Sequence, residues 1–121
     1  MEAEKKTILA VDDVSFFLNR LKTILKDAPC KLVCANSGKV ALDYLAKNSP
    51  SLFILDIEMP EMNGYELAQK IKEGGHTAPI IFLTGNGSQE YIDKAMEVGA
   101  ADVIVKSFGQ TEIVEKINKH L

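Results

Sequence analysis

Residues 52–71 read Leu52-Phe53-Ile54-Leu55-Asp56-Ile57-Glu58-Met59-Pro60-Glu61-Met62-Asn63-Gly64-Tyr65-Glu66-Leu67-Ala68-Gln69-Lys70-Ile71. The opening run, Leu52 to Leu55, is apolar without polar alternation, which suits a strand buried on both faces. It ends on an acid, Asp56. After a short turn-rich segment Asn63 stands where a helix cap belongs, and Gly64, Leu67, Ala68 and Ile71 then recur at helical spacing. The stretch is therefore one strand–loop–helix unit with a carboxylate at the end of its strand.

The same unit recurs along the chain. Further apolar runs lie at Ile8 to Val11, Leu32 to Ala35, Ile80 to Leu83 and Val103 to Val105. Each is followed by a helical stripe. The first carries Val14, Phe17, Leu18, Leu21, Ile24 and Leu25. The second is capped by Ser37 and carries Val40, Ala41, Tyr44 and Leu45. The fourth starts at Ser88, carries Tyr91, Ile92, Ala95 and Met96, and has Gly99 where a C-terminal glycine belongs. The fifth carries Ile113, Val114, Ile117 and Leu121. Five βα units in succession predict a parallel sheet with helices on both faces, joined by right-handed crossovers. Residues 1–6 read as a short frayed end.

The chain of 121 residues fits a single domain spanning 1–121. Its 46% hydrophobic and 26% charged residues exclude a disordered, collagen-like or disulfide-scaffold class. A net charge of −3 gives no basic face for direct nucleic-acid binding. Cys30 and Cys34 are four residues apart, about 13 Å on one strand, beyond disulfide reach. They read as reduced packing residues in a cytoplasmic protein. No signal core and no membrane-spanning run is expected.

In open parallel sheets, ligands bind beyond the carboxyl ends of the strands. Asp12 and Asp13 follow the first strand there, Asp56 the third, Thr84 with Gly85-Asn86-Gly87 the fourth, and Lys106 the fifth. Each alone has an ordinary explanation as a helix cap, a turn residue or a solvated lysine. Their joint placement does not. Three converging carboxylates raise one another's pKa, and a divalent cation relieves that. All-oxygen ligands without histidine or cysteine favour Mg²⁺, or Mn²⁺, over zinc. A carboxylate beside such a cation and a lysine is suited to accept a phosphoryl group.

The chain resembles a response-regulator receiver domain of two-component signalling, over essentially its whole length. The resemblance rests on Val11-Asp12-Asp13, on Leu55-Asp56-Ile57-Glu58-Met59-Pro60-Glu61-Met62-Asn63-Gly64, on Phe82-Leu83-Thr84-Gly85, on Gly99-Ala100 and on Val105-Lys106-Ser107-Phe108. It implies a doubly wound α/β flavodoxin-like receiver fold with strand order 2-1-3-4-5. It implies Asp56 as phosphoacceptor, and Mg²⁺ held by Asp12, Asp13, Asp56 and the Glu58 backbone carbonyl. Thr84 would be the switch hydroxyl, Lys106 the phosphoryl partner, and Gly85 a position kept small for the approaching donor. The donor would be a sensor histidine kinase or a histidine phosphotransfer protein. The reader would be a downstream protein target or a C-terminal effector domain absent from this chain, with neither nucleic acid nor membrane contacted directly.

Three departures from the family pattern stand out. Ser107 replaces the proline that usually follows the lysine in a cis peptide. Because Lys106 must still enter the pocket, the Lys106–Ser107 bond is expected to be cis. Val103 replaces the usual aromatic partner of the threonine switch. Output is therefore expected elsewhere on the face of the fourth helix, fifth strand and fifth helix. Glu58 and Asn86, each two residues beyond Asp56 and Thr84, border the path of hydrolytic water and are expected to tune the lifetime of the phosphorylated state. The reading is a signalling module rather than an enzyme. The alternatives are an aspartate-nucleophile phosphatase, with Glu58 at the spacing of its second acid, an unphosphorylated interaction module, or a flavin or nucleotide binder. The last is poorly supported, since Glu90 stands where a third glycine would be needed.

Overall fold

The computed structural model describes residues 6–121. The elements follow one another as β1 (Lys6–Val11), α1 (Ser15–Ile24), β2 (Cys30–Ala35), α2 (Gly38–Leu45), β3 (Leu52–Asp56), α3 (Gly64–Glu73), β4 (Ile80–Thr84), α4 (Gln89–Glu97), β5 (Asp102–Val105) and α5 (Gln110–His120). The expected frayed end lies outside the described residues up to position 5, and Lys6 itself opens β1. The strands form one sheet in the order β2-β1-β3-β4-β5, every pairing parallel. The alternation of strand and helix predicted from residue patterns is the architecture observed.

Period-two alternation sends successive strand residues to opposite faces. On one face Ile8, Ala10, Leu52, Ile54, Ile81, Leu83 and Ile104 pack with Phe17, Leu18 and Leu21 of α1 and Ile113 and Ile117 of α5. On the other, Leu9, Val11, Phe53, Leu55, Ile80, Phe82 and Val103 meet Ala41 and Leu45 of α2, Leu67, Ala68 and Ile71 of α3, and Ala95 of α4. The central strands β3 and β4 are buried along their whole length. β2 is only partly so, because it forms an edge of the sheet, and only its Ala35 is fully buried. Val14, Val40 and Met96, expected on the apolar stripes, are instead exposed, at 53%, 45% and 48%. Val14 is not helical but occupies the N-cap of α1, and the stripes of α2 and α4 are narrower than their sequences suggest.

Two local devices set where the loop after β3 goes. Asn63 Oδ1 accepts from Glu66 N–H at 2.9 Å, and Glu66 Oε1 accepts from Asn63 N–H at 3.2 Å, a reciprocal capping box at the start of α3. Gly64 then packs directly on the end of β3. Its N–H donates to Ile57 O at 2.9 Å, and a Cβ at this position would strike Asp56 O and come within 2.9 Å of Ile57 Cα. At the opposite end of β5, Asp102 accepts from Lys116 and pairs with His120, fastening α5 to the sheet. Burial would raise the Asp102 carboxyl, but hydrogen bonds from Lys116, the Val103 N–H and His120 outweigh it and hold the group below the usual carboxylate range.

Replacing Gly64 with alanine forces backbone atoms of the β3 end apart. It is expected to destabilise the fold by about 2 kcal/mol or more, in the upper range of overpacking costs. Gly85→Ala, whose Cβ would have no neighbour within 4 Å, should stay within about 0.5 kcal/mol of wild type. Urea unfolding of the two variants checks the contrast.

Candidate functional site

The strand ends carry the core alternation past the sheet. Asp12 lies two residues beyond Ala10, Asp56 two beyond Ile54, and Lys106 two beyond Ile104, all in phase with the face covered by α1 and α5. The ladder continues to hold them: Asp12 N–H donates to Ala35 O at 3.1 Å, Ile57 N–H to Leu83 O at 3.0 Å, and Lys106 N–H to Thr84 O at 2.8 Å. Three chemically active side chains from three separate strands thus converge over one end of the core.

Asp12 is fully buried and Asp56 is 4% exposed. Asp13 is exposed at the rim. One carboxylate oxygen from each of these three residues lies within 4.8 Å of the others. Lys106 Nζ stands 2.8 Å from Asp12 Oδ2 and 3.5 Å from Asp56 Oδ2. Asp12 Oδ1 accepts from Val14 N–H at 3.0 Å, a local turn rather than a cap of α1. Asp12 Oδ2 is buried without a well-directed hydrogen bond, so the Lys106 ammonium only partly satisfies it. Burial, the Asp12 charge and a hydrogen bond shared with Asp12 push the Asp56 carboxyl up to about 7, against the opposing pull of Lys106. Burial would lower the Lys106 ammonium, but its contacts to Asp12 and Asp56 raise it overall.

The acidic cluster, all oxygen and carrying an orphaned buried lone pair, fits a hard divalent cation such as Mg²⁺ or Mn²⁺. Thr84 is buried at the end of β4. Its hydroxyl donates to Asn86 O at 3.1 Å and accepts from Asn86 N–H at 2.9 Å, so it is engaged with its own loop rather than with Asp56. Gly85 borders open space. The Glu58 and Asn86 side chains are exposed around the rim.

Comparison with known proteins agrees with this arrangement. Residues 8–118 match the response regulator receiver domain family. The chain belongs to that family. It is 37% identical to the chemotaxis protein CheY of Bacillus subtilis, over 94% of this chain and 96% of that protein. It is 38% identical, over 95% of its own length, to a probable cyclic di-GMP phosphodiesterase of Vibrio cholerae, and spans only 26% of that protein. It likewise spans 53% of the Pseudomonas putida response regulator protein TodT. Among solved structures, the Vibrio cholerae chemotaxis protein CheY4 superposes with a TM-score of 0.85 at 28% identity, over 98% of this chain and all of that one.

The receiver domain departs from one expectation. No cis peptide occurs among the described residues, so the Lys106–Ser107 bond is trans, yet Lys106 still enters the pocket. A cis bond before serine costs about 3–4 kcal/mol, and the loop reaches the same end without it. Val103 is buried on β5, paired in register with Phe82 on β4. The aromatic neighbour of Phe82 is Tyr65 from α3, edge-on at 5.1 Å.

Sequence pattern does not point to Arg20, and it places Phe17 only on the apolar stripe of α1. Arg20 donates to Lys106 O at 3.0 Å and to Phe108 O at 2.6 Å. The Phe17 ring lies under both the Arg20 guanidinium, at 5.7 Å, and the Lys106 ammonium, at 6.0 Å. No spacing rule could have found Arg20, because its partners are backbone carbonyls more than 80 residues away.

The raised Asp56 carboxyl has a consequence for stability. The unfolded chain loses this proton near the ordinary carboxylate pKa, whereas the folded chain keeps it up to about 7. Folding is therefore favoured by this group at low pH, and the contribution falls as pH rises between those values. In metal-free buffer, Asp56→Asn should raise the melting temperature clearly at pH 8 and much less at pH 4, and Mg²⁺ should narrow the pH 8 gap by stabilising the wild type. Equal gains at both pH values would contradict the electrostatic account.

Proposed function

We propose that Asp56 is the phosphoacceptor of this receiver domain, and that the described residues belong to one such domain spanning 1–121. The observation that supports the reading best is the buried Asp12–Asp56 pair reached by Lys106. In the transfer, an Asp56 carboxylate oxygen attacks the phosphorus of a phosphohistidine on a sensor kinase or phosphotransfer protein. An O–P bond forms, the P–N bond breaks, and imidazole leaves with the electron pair. Lys106 offsets charge on the transferring oxygens. Asp12, Asp13, Asp56 and the Glu58 carbonyl would hold Mg²⁺ or Mn²⁺, which supplies further charge neutralisation. Gly85 leaves the approach open, and Val14 and Phe16, exposed beside the acidic pair, suit an apolar contact with the donor protein.

The output we assign to the face of α4, β5 and α5. Thr84 holds the Asn86 backbone through its hydroxyl. Turning that hydroxyl to a phosphoryl oxygen releases the loop leading into α4, a helix with Ala95 as its one buried residue. Val103 offers no large side chain to swing, which supports assigning the change to the loop and helix. The exposed Glu58 and Asn86 side chains stand where they can slow or admit hydrolytic water. The module signals by contact with a downstream protein or an effector domain in cytoplasm, rather than by turnover of an external substrate.

Incubation with acetyl phosphate and Mg²⁺, followed by intact-mass analysis, tests the assignment. One phosphoryl adduct is expected on wild type, none on Asp56→Asn, and none on wild type in excess chelator. An adduct on both proteins, or on neither, would remove Asp56 from its role. Multiple turnover of a simple phosphomonoester would favour the phosphatase alternative.

A further inference from the structure

The loop after β5 has to deliver Lys106 into the pocket without a proline to stiffen it. It consists of Lys106, Ser107, Phe108 and Gly109, and its own backbone bonds are few. Lys106 N–H donates to Thr84 O and Phe108 N–H to Val105 O, both at 2.8 Å. Between them Ser107 is exposed, and Gly109 has no neighbour within 4 Å of a Cβ position. A chain so lightly held would let the lysine sample several directions.

Arg20 removes that freedom from outside the loop. It reaches from the middle of α1, and α1 is itself anchored in the core by Phe17, Leu18 and Leu21. One guanidinium nitrogen takes the Lys106 carbonyl at 3.0 Å and another takes the Phe108 carbonyl at 2.6 Å, so a single planar fork spans Ser107. The five donors of guanidinium are fixed in one plane, which makes two simultaneous carbonyl contacts directional in a way one ammonium cannot be. The Phe17 ring has both the Arg20 guanidinium and the Lys106 ammonium within about 6 Å of its centroid. Each cation is attracted to that ring.

We propose that Arg20 is a positioning residue for Lys106: its fork pins the trans Lys106–Ser107–Phe108 backbone to α1, and thereby aims the lysine at Asp12 and Asp56. The consequence for phosphoryl transfer rests on the phosphoacceptor reading of Asp56. The tether itself does not. Displacing a charge-stabilising group by about 1 Å can cost as much as 10²-fold in rate, so a looser Lys106 slows transfer without dismantling the carboxylates. A lysine that leaves the pocket also takes a positive charge away from the cation site. Loss of the tether should therefore leave Mg²⁺ affinity unchanged or tighter, the opposite of what general damage to the pocket would do.

Arg20→Lys keeps the charge and loses the fork, and Arg20→Ala removes both. On the full 121-residue chain, three measurements separate the outcomes: amide hydrogen exchange by NMR, the rate of adduct formation with acetyl phosphate at saturating Mg²⁺, and Mg²⁺ affinity. For Arg20→Lys, exchange of the Phe108 amide is expected to rise about 10-fold or more while Ile54 in β3 keeps wild-type protection. Adduct formation is expected to slow about 10-fold, with Mg²⁺ binding as tight as wild type or tighter. Unchanged exchange at Phe108 overturns the tether. A wild-type adduct rate in Arg20→Lys overturns the positioning role, and so does a parallel loss of Ile54 protection or of Mg²⁺ affinity. If wild type forms no adduct, or Asp56→Asn still does, the phosphoacceptor reading has failed instead, and the exchange result alone decides whether Arg20 holds the loop.

Discussion

The repulsion between Asp12 and Asp56 is the constraint on which the rest of the structure depends. The two carboxylates are neighbours because β1 and β3 pair in parallel, with Ala10 opposite Ile54. Both are taken out of water by the same packing that buries those strands. Neither would be held there by its own preference, since an ionised carboxylate loses hydration on burial and a second one nearby compounds the loss. The apolar layers on the two faces of the sheet supply the stability that the acidic end lacks. Lys106 answers part of the imbalance and leaves Asp12 Oδ2 without a directed hydrogen bond. What remains is an appetite for positive charge, held ready by a rigid frame.

Much of that frame could be read in the residues. Asp12, Asp56 and Lys106 were legible because each continues the alternation of a strand, two positions past Ala10, Ile54 and Ile104, so that core and site share one phase. The helix starts at Ser37 and Asn63 were legible because capping chemistry is local. Other features depend on partners remote in sequence. Val14, Val40 and Met96 have the period of buried residues, yet whether a stripe position is covered depends on the helix's tilt over the sheet. The partial exposure of β2 follows from its place at the edge, which its own apolar run does not encode.

The Lys106–Ser107 peptide shows how a local pattern can mislead. A cis bond would be required only if the loop alone aimed the lysine side chain. In the structure the aim is shared with α1. Arg20 and Phe17 meet the loop from the side, and a trans backbone serves. The candidate site is distributed over four strand ends and one neighbouring helix, and the side chains that meet at its centre are fewer than those that determine where it lies.

The unequal anchoring of the helices has a further implication. α3 commits Gly64, Leu67, Ala68 and Ile71 to the core, and α1 commits three residues, whereas α4 commits Ala95. Mutations at the exposed positions of α4 therefore meet little resistance from folding. That surface can drift, or be redrawn by design, while the acidic end stays as it is.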